Sequence, residues 1–243
     1  MILLSMGLLG FGVVDLFRWS LEKVGAYRAA GAIAAGAAAT AALAGLGGAR
    51  FGQVLLVAVV SAPVLALWVS FDYSTPKKGP AASLGWLAAV MAVLFAASGS
   101  GDPISGSLGD WYANLGFGFV GRLSVDQFVL GLSAAIFMTA SGNRIVRLVL
   151  DAAGVAREPS ESALKGGRLL GPLERLIVFA IVLAGDPAAA AIVITGKGLL
   201  RFPEIRSEAR QPGPDAVTEY FLIGTFVSLL IASLLAVLVL AAG

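Results

Sequence analysis

Long apolar runs broken by short charged connections dominate this chain. About 20 apolar residues are needed to cross the roughly 30 Å hydrocarbon core of a bilayer, and eight segments approach that length. They are residues 1–19, 29–46, 51–71, 81–98, 126–141, 169–184, 188–202 and 216–242. The fifth leaves the apolar zone near Ser141 and continues as a basic amphipathic helix through Arg144, Arg147 and Asp151. Ser141-Gly142-Asn143 reads as the end of its membrane-embedded part. The sixth and seventh are joined by Gly185-Asp186-Pro187, and the seventh is short. A second reading is therefore open, in which these two form a re-entrant hairpin of the kind that marks binding sites in transporters. The expectation is an all-α, polytopic transmembrane helix bundle of about eight helices. One continuous membrane domain is expected, made of a five-helix region over 1–153 and a three-helix region over 165–243.

Composition agrees with this pattern. Of 243 residues, 58% are hydrophobic and 13% charged, against about 25% charged in soluble domains. Lipid solvates such apolar surface on every side of a helix, and the 31 glycines suit close helix contacts in lipid. The initial apolar stretch lacks a basic flank and a small-residue cleavage site, so it reads as a retained helix.

The positions of the charges add an orientation. With the N-terminus outside, 14 Lys and Arg residues fall on one side and 2 on the other, Arg50 and Arg122, with Arg175 inside a span. By the positive-inside rule this predicts a bacterial inner-membrane protein with both termini outside the cytoplasm. The long outer loop, 99–125, carries Trp111, Tyr112, Phe117 and Phe119 and suits a segment lying at the membrane surface. Absent cysteine and histidine exclude disulfides, thiolate metal sites and the usual general base near neutral pH. No cofactor or metal is expected. Paired Asp-rich metal motifs, a Gly-x-Ser-x-Gly nucleophile and a nucleotide-binding glycine loop are all missing from the sequence, so an enzyme is the less favoured class. The basic residues flank spans, as topology requires, which disfavours nucleic-acid binding.

Charges inside the spans are the candidate site. Arg168, Glu174 and Arg175 open the sixth span, Lys197 and Arg201 close the seventh, and Glu219 with Tyr220 opens the eighth. At about 1.5 Å rise per residue these groups share one depth in the cytoplasmic leaflet. Neighbours in sequence point about 100° apart, so Glu174 is expected to pair with Lys197 or Arg201, and Arg175 with Glu219. Gly167 and Gly171, and Gly224 and Ser228, have the four-residue spacing of small residues at tight membrane-helix contacts. Three readings stay open: a structural ion-pair clamp, a site for an anionic headgroup or phosphate, and catalysis. Asp15 is expected to pair locally with Arg18, and Asp126 to favour the start of the fifth span through the helix dipole.

Three blocks in the last third carry a resemblance. They are Gly167-Arg168-Leu169-Leu170-Gly171-Pro172-Leu173-Glu174-Arg175, Gly196-Lys197-Gly198-Leu199-Leu200-Arg201-Phe202, and Glu219-Tyr220-Phe221-Leu222-Ile223-Gly224-Thr225 followed by Ser228. Residues 165–240 resemble the uncharacterised bacterial membrane family called domain of unknown function 3307. That family's histidine-bearing motifs surround an Asp-Phe and an Asp-Gln pair. Asp15-Leu16-Phe17 and Asp126-Gln127 correspond in part, but this chain has no histidine, so no histidine role carries over. The resemblance implies important positions without an activity. Transport or anionic-lipid handling is the first functional expectation. An accessory or scaffold subunit with a membrane-protein partner, or a homo-oligomer, is the second, and a lipid-modifying enzyme the third.

Overall fold

Apolar periodicity turns into helices throughout. The computed structural model describes residues 1–19, 26–71, 79–99, 104–115, 123–155, 167–186, 188–189, 191–192, 195–196 and 216–243. Among them are α1 (Ile2–Trp19), α2 (Ala26–Leu46), α3 (Phe51–Ser70), α4 (Gly79–Ser98), α5 (Gly106–Ala113), α6 (Val125–Ala153), α7 (Gly167–Leu183) and α8 (Ala216–Ala241), with no strand among the described residues. Five of them, α2, α3, α4, α6 and α8, are long and apolar enough to cross a membrane. The protein is a multi-pass membrane helix bundle. Most of the expected seventh span, 188–202, lies outside the described residues, and with it the question of a re-entrant hairpin.

The short α5 lies within residues 99–125, expected from sequence to be an outer loop lying at the membrane surface. It docks on the start of α6 through rings: Tyr112 and Trp111 stand 5.1 and 6.2 Å from Phe128. The Tyr112 hydroxyl donates to the Leu123 carbonyl at 2.7 Å, and burial pushes its pKa up. Ser124 caps α6 in a reciprocal box with Gln127. Asp126 lies in the first turn, where the dipole favours it. It also accepts from Ile104 N at 3.4 Å and lies 3.8 Å from the Met1 amino group.

Helix α6 is the spine. It packs on α1 and α4 along one side and on α7 and α8 along the other, while α1 also holds α2 and α4, and α2 holds α3. One apolar cluster runs through it, from Leu4, Leu8 and Phe11 of α1 through Leu130, Ala134 and Phe137 to Phe179 and Ala232 of α7 and α8. Backbones approach closely where α1 meets α6 and where α1 meets α2, at Gly36, whose Cβ would lie 2.9 Å from Gly10 O. A Cβ on Gly12 would lie 2.9 Å from Phe137 N, so only glycine lets these backbones meet. Sequence spacing pointed instead to the last third, where a Cβ on Gly224 would make an ordinary 3.7 Å contact with Val146.

Candidate functional site

Helix α6 does not lose its place in the core at Ser141. It stays α-helical to Ala153 and stops at Gly154, whose φ of +74° is the left-handed conformation glycine tolerates. The stretch Met138–Arg144 is therefore a buried turn and a half inside the bundle. At about 100° per residue, Ser141 and Arg144 face α1 and α3, while Met138, Gly142 and Asn143 serve α7 and α8.

On the first side a carboxylate meets a guanidinium. Asp15 is 6% exposed and Arg144 7%, and Arg144 Nη1 donates to Asp15 Oδ1 at 2.9 Å. Ser141 Oγ donates to Asp15 Oδ2 at 2.7 Å, and Trp68 Nε1 reaches both oxygens at 3.1 and 3.2 Å. Arg144 Nη2 donates to the Trp68 carbonyl at 2.7 Å, in the last turn of α3, where helical acceptors run out of intrahelical donors. The Arg144 guanidinium also lies 3.8 Å from the centroid of the Trp68 ring, and Phe11 holds that ring edge-on at 5.5 Å. Three helices are thus tied by one compensated ion pair. The expected local partner, Arg18, stands farther off, 3.7 Å from Asp15 Oδ1. The i,i+3 spacing allows that contact, but Arg144 has the shorter one.

On the second side the cation's hydrogen bonds, among the described residues, go to neutral acceptors. Arg175 is 3% exposed. Its Nε donates to the Met138 carbonyl at 3.1 Å, its Nη1 to Ser228 Oγ at 3.2 Å, and its Nη2 to Asn143 Oδ1. Gly142 makes room for it, since a Cβ there would stand 2.8 Å from Nε. Gly171, one turn before Arg175, faces Asn143 and the two terminal nitrogens.

These positions recast the charged cluster expected from sequence. Arg175, Gly171 and Ser228 do converge. Glu174 is half-buried beside Arg175, Tyr220 is half-buried, and Glu219 is exposed at the start of α8. The expected Arg175–Glu219 pair is replaced by hydrogen bonds to α6 and Ser228. Gly167 and Arg168 open α7, but the Arg168 side chain, like Lys197 and Arg201, lies outside the described residues, so the Glu174 pairing is outside them too. Sequence reasoning missed Asp15 with Arg144, and Asn143. A signal existed: Leu4, Leu8, Phe11 and Asp15 form one buried stripe, and Leu130, Ala134, Phe137, Ser141 and Arg144 another. Each charge extends an apolar stripe by one turn, which is the mark of an inward-facing group.

Comparison with family models, curated proteins and solved structures gives no match. The geometry carries the functional argument alone.

Proposed function

We propose that this protein handles an anionic group, a phosphate-bearing lipid headgroup or a soluble oxyanion, at the cytoplasmic side of a bacterial inner membrane, with both termini outside. The carrying observation is Arg175, buried at 3% exposure with three neutral hydrogen-bond acceptors. A charged side chain inside a membrane is costly, and in membrane proteins such groups face a partner or a pathway. The 14-to-2 asymmetry of Lys and Arg supports the orientation. Native mass spectrometry from phosphatidylglycerol-containing micelles tests the reading. Retained phosphatidylglycerol that Arg175→Gln loses is the expected result, and a lipid-free wild-type spectrum would refute it.

A subunit role is the second reading. Gly31, Ala34, Ala38, Ala42 and Gly45 make an exposed small-residue face on α2, the kind against which membrane helices pack closely. A defined oligomer or co-purifying subunit in mild detergent is its expected mark, and a solitary monomer counts against it. Membership of the domain of unknown function 3307 family is proposed on the three C-terminal blocks, which contain Gly171, Arg175 and Ser228. A solved member lacking an arginine seated on its neighbouring helix would weaken that assignment.

A further inference from the structure

A guanidinium carries five N–H donors in a fixed fork. Arg175 commits three of them, one from each nitrogen, to Met138 O, Ser228 Oγ and Asn143 Oδ1. One N–H on each terminal nitrogen is left. One turn earlier on α7 stands Gly171, where a Cβ would lie 3.8 Å from both terminal nitrogens and 3.3 Å from Asn143 Oδ1. Two adjacent N–H donors match two oxygens of one carboxylate or phosphate. The side chain standing where a counter-charge belongs is the amide of Asn143, which is half-buried. It has the shape of aspartate without its charge.

We propose that Arg175 binds a single oxyanion group, the phosphate of a lipid headgroup or free phosphate, at the place now held by Asn143, across from Gly171. The proposal rests on the anion-handling reading and gives it an address. Asn143 is the neutral stand-in. When the oxyanion arrives, the amide gives up Nη2 and turns its NH2 to donate to the same anion. Gly167 lies four residues before Gly171, on the same side of α7 and one turn nearer the helix start.

Asn143→Asp supplies the counter-charge within the chain at unchanged size, and so occupies the site permanently. The test measures the rise in thermal unfolding temperature of detergent-solubilised wild type, Asn143→Asp and Gly171→Ala on titration with phosphatidylglycerol and, separately, with inorganic phosphate. Wild type is expected to respond. A response to phosphatidylglycerol alone assigns a lipid headgroup, and one to inorganic phosphate assigns the free ion. Asn143→Asp is expected to lose about tenfold to a hundredfold in apparent affinity, the worth of a charge-assisted hydrogen bond. Gly171→Ala, whose methyl sits over the fork, is expected to weaken binding too. If wild type responds and both variants respond equally well, this address is overturned while the anion-handling reading stands. If wild type responds to neither probe, both fail. Should Asn143→Asp not fold, Gly171→Ala decides: full wild-type affinity there overturns the proposal.

Discussion

The two sides of α6 solve the same problem in different ways. Toward α1 and α3, Arg144 meets a carboxylate, an indole face and a helix-end carbonyl, and Asp15 in turn receives donors from three side chains within hydrogen-bonding distance. Toward α7 and α8, Arg175 meets an amide, a hydroxyl and a carbonyl, all neutral. Arg144 stands on α6 itself, and Arg175 reaches from α7 to Met138 and Asn143 just before it. One arginine therefore hydrogen-bonds a carboxylate directly, and the other, among the described residues, hydrogen-bonds neutral groups, with the Glu174 carboxylate its neighbour in sequence. Packing repeats the contrast, because α1 and α6 touch backbone to backbone at Gly12, whereas α8 meets α6 through ordinary side-chain contacts at Gly224. The side with the direct ion pair holds the bundle, and the side whose arginine hydrogen-bonds neutral groups is where an external anion has something to gain.

The largest effect should come from breaking the direct ion pair. Asp15→Asn removes the counter-charge of Arg144 and leaves a buried cation, which costs about 3–5 kcal/mol. Loss of folded protein on detergent gel filtration is expected. A monodisperse, wild-type-like peak would show that the pair is not holding three helices together. Next, Gly12→Ala drives a methyl into the α6 backbone and should cost roughly 1–3 kcal/mol, while Gly224→Ala should stay within about 0.5 kcal/mol of wild type. Thermal unfolding of the two variants checks this, and equal losses would erase the packing contrast. Smaller still, Trp68→Phe removes the Nε1 donor and keeps an aromatic face for Arg144. It should cost about 1–2 kcal/mol through a carboxylate left short of one donor. An unchanged melting temperature would assign that indole to packing alone.

Much of the bundle was legible because lipid imposes length and apolarity locally. The spans read over 1–19, 29–46, 51–71 and 81–98 match α1 to α4 within a few residues. The hub was not legible, for a physical reason. Asp15 lies near the end of α1, and Arg144 follows the apolar part of α6, where the sequence turns basic, so loop-charge logic counted Arg144 among rim cations. Only their register on buried stripes separates them from true rim charges. Arg175 was legible because it stands well inside a span, at a place no rim explains. Its partners were not, since they come from two other helices, and a search for opposite charges led to Glu219 rather than to Asn143 and Ser228. The polar neutral residues of α6, Ser141 and Asn143, carry as much of the site as the charged ones.

The contrast reduces to one exchange made in opposite directions. Asp15→Asn removes a carboxylate that Arg144 hydrogen-bonds directly, and Asn143→Asp adds one where Arg175 now hydrogen-bonds an amide. Measured as thermal unfolding in the same detergent without added anion, the first should lower the melting temperature and the second should raise it. A fall in both would contradict the account, since Arg175 would then already be compensated within the chain.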